Sequence, residues 1–171
     1  RNLDDNLGPG STLVYNADDP VLREWAAATG ARALAYSLAR GADADYDAGD
    51  GTLRLHGRPL LRAADLAVAG EHQVSNALAV ALAASALGLS HDQVTAGLPR
   101  FAGLTGRYAH VTTAGGVTFV EDSIATRPLA VAAALRASPR PLAWLAGGHA
   151  KGADVTGLLP LVAERVDLLV A

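Results

Sequence analysis

The sequence has 171 residues, half of them hydrophobic and 18% charged, enough to bury the core of one domain or of parts of two. Its net charge of −3 provides no basic surface for nucleic acid, and the absence of cysteine excludes disulfides and catalytic thiols. No apolar stretch reaches the roughly 18 residues of a membrane span, so we expect no membrane partner. Because methionine is absent, we expect a piece of a longer protein.

The first half of the chain alternates strand and helix. Residues 12–16 predict a strand, and Asp18 or Asp19 before Pro20 is typical of a helix start, with the helix running to Ala28. A second strand is predicted over 31–37, which gives the repeating unit of a parallel sheet. The remaining elements are a loop, a β-hairpin and two helices, predicted over 39–51, 52–61, 71–87 and 90–98. The first of these helices has apolar residues at helical spacing, namely Val74, Leu78, Ala81 and Leu82.

A hinge is predicted at 99–106, which contains one proline and two glycines. Beyond it the pattern starts again with a hairpin that turns at Gly115-Gly116. A helix, a strand, a second helix and a last strand follow, over 127–137, 141–146, 157–166 and 167–171. We expect both of these strands to be buried. The fold class is therefore α/β with a mostly parallel sheet.

Two loops follow predicted strands in this second half, and ligands bind at the carboxyl ends of parallel strands. The loop after Val120 contains Asp122, Ser123 and Thr126, and the loop over 147–152 contains paired glycines and Lys151. Glycine amides favour anions, and Lys151, the single lysine among 14 basic residues, suits a phosphate or a carboxylate. Simpler interpretations stay open, because Asp122 or Ser123 can cap a helix and Lys151 can be a solvated charge.

His72 and Asn76 lie four residues apart at the start of the long predicted helix and so share one face. This polar face can contact a nucleotide or simply cap the helix. The other histidines have no partners at metal-ligand spacing. The sequence contains no P-loop, no HExxH and no nucleophile elbow.

Five segments in this order resemble the Mur ligases, ATP-dependent enzymes that add amino acids to the UDP-N-acetylmuramic acid precursor of peptidoglycan. Along the chain, the similar family segments are NADDP, GxHNxxNxxAA, LxxFxGLxxR, DSxAT and GGxxKG, at residues 16–20, 70–79, 98–107, 122–126 and 147–152 respectively. The NADDP turn and the last two loops are most similar to the members that add glutamate.

The resemblance implies the second half of a central ATPase domain up to residue 104, followed from residue 105 by the first part of a Rossmann-like C-terminal domain. The P-loop and the Mg²⁺ ligands would lie upstream, so no metal ligands are expected within these residues. In the implied reaction, UDP-N-acetylmuramoyl-L-alanine attacks the γ-phosphate of ATP through its carboxylate. The amine of glutamate then displaces phosphate from the acyl phosphate. A cytoplasmic monomer is expected.

The resemblance also implies roles for individual residues. His72 and Asn76 would contact the adenine, and Asp122 would face the ribose. Arg107, once the domains close, would approach the terminal phosphates. Thr126, Arg127 and Lys151 would hold the incoming glutamate. Arg107 and Lys151 are therefore the expected catalytic residues.

Three positions depart from the family pattern, namely Gln73, Ile124 and Arg127. Ile124 stands where the D-glutamate-adding members usually have lysine, and the DSIxTxP form resembles a variant branch that adds L-glutamate. We therefore hypothesise that Arg127 replaces part of the lost positive charge and that the acceptor is L-glutamate.

Four alternatives stay open at this stage. They are a D-glutamate-adding member of the same family, a non-catalytic Mur-like nucleotide-binding subunit, a plain Rossmann domain and a folate polyglutamate ligase. A Rossmann domain would need a GxGxxG after a strand, which this sequence lacks.

Replacing Lys151 with alanine in the complete protein should raise the KM for glutamate more than the KM for ATP. The lost charge-assisted contact with a carboxylate is worth roughly 1.5–3 kcal/mol. Steady-state kinetics with each substrate varied in turn measures the two constants. An unchanged KM for glutamate would remove Lys151 from the acceptor site.

Overall fold

The computed structural model describes residues 7–8, 10–148, 152 and 154–171. The chain divides into two compact units, Arg1–Ala102 and Gly103–Ala171. This division falls within the segment in which the sequence predicts a hinge, two residues before the expected boundary at 104. In the described residues, no helix is both long and apolar enough to cross a membrane.

The first unit is a five-stranded sheet with helices. Its strands are β1 Thr12–Asn16, β2 Arg32–Ser37, β3 Ala44–Asp47, β4 Thr52–Leu55 and β5 Arg58–Arg62. Its helices are α1 Pro20–Ala28, α2 Glu71–Ala86 and α3 His91–Gly97. The strands lie in sequential order, with β1, β2 and β3 parallel and β4 and β5 antiparallel to their neighbours. The predicted strand–helix–strand unit and the hairpin are both confirmed.

The strand β3 is a correction, because the sequence predicts a loop over 39–51. Ala44 is fully buried, and the strand pairs with β2 on one side and with β4 on the other. Its entry is fixed by Asp43, whose Oδ2 accepts a hydrogen bond from the Ala35 amide at 2.8 Å. β3 is stabilised by backbone hydrogen bonds to both neighbouring strands. Its own residues show no hydrophobic alternation, so the sequence here contains no sign of a strand.

The core of the first unit forms where α2 packs on the sheet. Val74, Leu78, Ala81 and Leu82, the four positions predicted from helical spacing, are all buried. They meet sheet residues that are also buried, namely Leu34, Ala44, Leu53, Leu55 and Leu60. This packing sets the direction of α2 across the strands, and therefore decides where its first turn lies.

The second unit contains two small sheets and two helices. β6 Ala109–Ala114 and β7 Val117–Glu121 form an antiparallel hairpin, and β8 Ala143–Leu145 pairs in parallel with β9 Leu168–Val170. The helices are α4 Pro128–Ala137 and α5 Leu159–Arg165. The predicted hairpin turn is confirmed, since Gly115 and Gly116 both have positive φ.

The expectation that the strands at 141–146 and 168–171 are buried is wrong for this structure. Leu145 in β8 is 78% exposed, and all three residues of β9 are exposed. In the described residues each strand pairs only with the other, so most of their apolar surface faces solvent. Apolar composition indicated a strand, but burial depends on neighbours that composition does not specify.

Leu82→Ala should lower the free energy of unfolding of the first unit by about 2–5 kcal/mol, because it leaves a cavity between α2 and the sheet. Val80→Ala is the matched control, since Val80 lies on the same helix with 58% of its surface exposed and should change stability by less than about 0.5 kcal/mol. Urea denaturation followed by Trp25 fluorescence in a Trp144→Phe background reports on this unit. Equal losses in both variants would contradict the proposed packing of α2.

Candidate functional site

The turn after β1 is built by side-chain hydrogen bonds from its own residues. Asn16 Oδ1 accepts from the Asp18 amide at 2.9 Å. Asp19 is the N-cap of α1, and its Oδ1 accepts from the amides of Val21 and Leu22. This carboxylate therefore satisfies the exposed amides at the start of α1, so this helix end has little left to offer a ligand.

Asp18 ties this turn to the end of the neighbouring strand. One of its oxygens accepts from the Ser37 hydroxyl at 2.5 Å, and the other accepts from the Leu38 amide at 2.9 Å. Ser37 is itself buried. The carboxyl ends of β1 and β2 are thus joined by one carboxylate that receives two donors.

Tyr36 connects the same edge to α2. Burial raises the pKa of its phenol, the Asp18 carboxylate raises it further, and a side-chain hydrogen bond with Ser75 acts in the opposite direction. Since Ser75 is in the second turn of α2, the first turn of this helix lies at the carboxyl ends of β1 and β2. The sequence analysis did not single out Tyr36, Ser37 or Ser75, although polar residues that end a strand are a usable signal.

The start of α2 carries the two residues predicted to contact a nucleotide. Its N-cap is Gly70, which has a φ of 105° and supplies no side-chain cap, so the first-turn amides stay available to an anion. Asn76 is exposed and donates to Gln73 Oε1 at 3.3 Å. His72 is half-buried on the same helix face. The arrangement provides amides and a polar face at the sheet edge.

In the second unit, the loop after β7 is hydrogen-bonded to the segment that contains Arg107. Asp122 Oδ1 accepts from the Tyr108 amide at 3.0 Å, and the Ile124 amide donates to the Gly106 carbonyl at 3.1 Å. Ser123 donates to Glu121 instead, at 2.8 Å. The alternative that Asp122 or Ser123 caps the next helix is wrong, because the N-cap of α4 is Arg127 and no side chain caps it.

Thr126 and Arg127 lie at the uncapped start of α4, where Pro128 occupies the first helical position. Both are exposed, and neither side chain has a hydrogen bond or ion pair within the described part of the chain. Amides of this helix end, a hydroxyl and a guanidinium are therefore available to an anionic ligand.

The glycine loop after β8 is described only in part. Gly148 and Gly152 have positive φ values of 118° and 73°, a conformation that glycine adopts without strain. Lys151, the predicted catalytic and acceptor-binding residue of this loop, lies outside the described residues. Elsewhere in the chain, the described residues contain no group of three or more His, Asp or Glu side chains placed to hold a metal ion.

Comparison with known proteins identifies the family. Residues 1–84 match the model of the Mur ligase middle domain. Over 90% of its length the chain is 36% identical to a protein of Shouchella clausii named UDP-N-acetylmuramoylalanine–D-glutamate ligase. The chain belongs to the Mur ligase family.

Further relatives carry the same name as the Shouchella protein. The chain is 37% identical to the Thermobifida fusca protein over 93% of its length, and 36% identical to the Salinibacter ruber protein over all of it. The chain spans 34–39% of the length of these three relatives.

A solved structure with the same fold is MurF from Acinetobacter baumannii. The match has a TM-score of 0.67 at 23% identity and covers 79% of this chain and 30% of that one. A UDP-N-acetylmuramoyl-L-alanyl-D-glutamate–2,6-diaminopimelate ligase matches with a TM-score of 0.55 at 22% identity, over 91% of this chain and 34% of that one. These likenesses support the α/β architecture of a Mur ligase.

Asp18→Ala should lower the free energy of unfolding of the first unit by about 1–3 kcal/mol, because it leaves the buried Ser37 hydroxyl and the Leu38 amide without an acceptor. Glu24→Ala is the control, since this exposed carboxylate on α1 makes no hydrogen bond or ion pair with the described residues. Urea denaturation followed by Trp25 fluorescence, again with Trp144→Phe, compares the two. A loss no larger for Asp18→Ala than for Glu24→Ala would show that Asp18 does not hold the strand ends together.

Proposed function

We propose that this chain is part of an ATP-dependent ligase that joins glutamate to UDP-N-acetylmuramoyl-L-alanine, through an acyl phosphate, in peptidoglycan precursor synthesis. The observation that carries this proposal is the similarity, at 36–37% identity over at least 90% of the chain, to proteins named as ligases of this substrate with D-glutamate. Since the chain spans about a third of those proteins, the activity is assigned to the complete protein. The same proposal implies the cytoplasm, where ATP and nucleotide-linked precursors are available, and a monomer.

The roles proposed on the nucleotide side come from the family resemblance, and the positions of these residues at strand ends and helix starts support them. We assign the adenine to the polar face of His72 and Asn76, beside the uncapped first turn of α2. We assign the ribose to the Asp122 carboxylate oxygen that does not accept the hydrogen bond from the Tyr108 amide. Arg107 is exposed and its side chain has no hydrogen bond or ion pair among the described residues, so its charge is available for the terminal phosphates. The Mg²⁺ ion that accompanies ATP would be held by residues outside this chain.

The acceptor side is assigned to the start of α4 and to the glycine loop. Glutamate carries two carboxylates, each of which needs donors or a cation. Thr126 and Arg127 offer a hydroxyl and a guanidinium at a helix start that favours anions. Lys151 supplies the remaining cation in this proposal.

The names of the relatives favour D-glutamate over the L-glutamate that the sequence departures suggested. The structure also supplies a different reason for an apolar residue at position 124. A Cβ added at Gly106 would lie 2.9 Å from Ile124 Cδ1, so the Ile124 side chain packs directly on the Gly106 backbone. Ile124 therefore has a packing role that does not depend on the acceptor. L-glutamate stays the second candidate because of Arg127.

The complete protein, supplied with ATP, Mg²⁺ and UDP-N-acetylmuramoyl-L-alanine, should form an amide with D-glutamate. We expect kcat/KM to exceed that for L-glutamate by at least about tenfold, or about 1.4 kcal/mol. Phosphate release and the mass of the product measure the reaction, and a reaction without glutamate is the control.

Two other outcomes separate the alternatives. A clear preference for L-glutamate would support the second candidate and contradict the first. Nucleotide binding without amide formation with either enantiomer would contradict a ligase and favour a non-catalytic Mur-like subunit.

A further inference from the structure

Arg107 is an exposed side chain on an unusually constrained backbone. Its own amide donates to the Leu104 carbonyl at 3.0 Å, and the carbonyl before it, that of Gly106, accepts from Ile124 at 3.1 Å. The amide after it, that of Tyr108, donates to Asp122 Oδ1 at 3.0 Å. The two peptide units that flank the Arg107 Cα contain four N–H and C=O groups, and three of these are hydrogen-bonded. This sets the direction of the Arg107 Cα–Cβ bond.

Tyr108 holds a backbone conformation that a bulky residue rarely adopts. Its φ is 47°, in the left-handed region, where residues other than glycine are strained. The Tyr108 hydroxyl lies 3.1 Å from Ser138 Oγ, which itself donates to the Ala134 carbonyl at 2.9 Å. The Tyr108 hydroxyl is therefore the donor to Ser138, and the ring is anchored at the end of α4.

The residue before Arg107 is also confined. Gly106 is buried with a φ of 75°, and a Cβ there would approach both Cδ1 and Cγ1 of Ile124 to 2.9 Å. The turn that carries Arg107 is thus closed on one side by Ile124 and on the other by Tyr108.

We propose that Tyr108 is a positioning residue, whose strained backbone, fixed by Asp122 at the amide and by Ser138 at the hydroxyl, aims Arg107 at the anionic group it binds. Strained conformations persist only where several contacts enforce them, and they cluster at functional sites. A pre-set direction also lowers the entropic cost of holding a long cationic side chain on a phosphate. This inference rests on the proposed ligase, in which Arg107 meets the terminal phosphates of ATP.

A double-mutant cycle in the complete protein tests the coupling between Tyr108 and Arg107. Tyr108→Gly removes the anchor and relieves the strain, so the turn loosens without a clash. With Arg107 present, it should lower kcat by at least about tenfold, because small displacements of a positioning group have large effects on rate, and leave the KM for glutamate unchanged. In an Arg107→Ala background the same change should alter kcat by less than about twofold. Equal losses in both backgrounds would overturn the proposal.

His56→Gly is the matched control. His56 also has a positive φ, of 50°, and its ring likewise lies within hydrogen-bond distance of a helix serine, 3.3 Å from Ser85 Oγ. It belongs to the first unit and has no proposed role in the reaction, so kcat should stay within about twofold of the unmodified protein. A tenfold loss in His56→Gly would show that relaxing any left-handed residue impairs the enzyme, and would overturn the specific assignment to Tyr108.

A Tyr108→Phe variant and a ligation assay of the unmodified protein complete the test. If Tyr108→Gly is unfolded at the assay temperature, Tyr108→Phe replaces it, since it removes only the hydrogen bond to Ser138. A loss of kcat of about twofold to fivefold should then appear with Arg107 and disappear with Arg107→Ala, and persistence of the loss would overturn the proposal. Ligation by the unmodified protein is measured first, so a failed ligase assignment is distinguishable from additive losses in an active enzyme.

Discussion

The structure of the first unit depends on the burial of one face of α2 against the sheet. Leu78, Ala81 and Leu82 are completely buried, and together their contacts hold the helix across β1–β4. This packing also decides where the proposed nucleotide contacts lie, because it brings the first turn of α2 to the carboxyl ends of β1 and β2. Amides that no side chain caps then face the edge at which parallel sheets bind ligands.

In the second unit the corresponding constraint is the pair of hydrogen bonds that joins the loop after β7 to the segment before β6. Asp122 was expected to face a ribose or to cap a helix, yet one of its oxygens accepts a hydrogen bond from the Tyr108 amide. A carboxylate with two oxygens can do both, so the structural contact does not compete with the proposed one. The same loop places Ile124 against Gly106, which explains an apolar residue where charge was anticipated.

Much of the architecture could be predicted because it is encoded in local patterns. Helical spacing identified the buried face of α2, the cap and proline identified the start of α1, and the two glycines identified the turn between β6 and β7. The strand β3 could not be predicted, since its stability comes from pairing on both sides. Burial of β8 and β9 was predicted wrongly, because composition reports which residues are apolar and not which elements cover them.

The sequence by itself determined the family and the order of the elements other than β3, and it suggested the segments proposed to carry chemistry, because these depend on residue identity and spacing along the chain. Tertiary structure alone decided that Asp18 joins two strand ends, that Tyr36 meets Ser75, and that Asp122 holds Tyr108 beside Arg107. These contacts join residues 14 to 39 positions apart, and no periodicity connects such positions. They arise only when strands and helices pack, since packing selects which donors and acceptors meet.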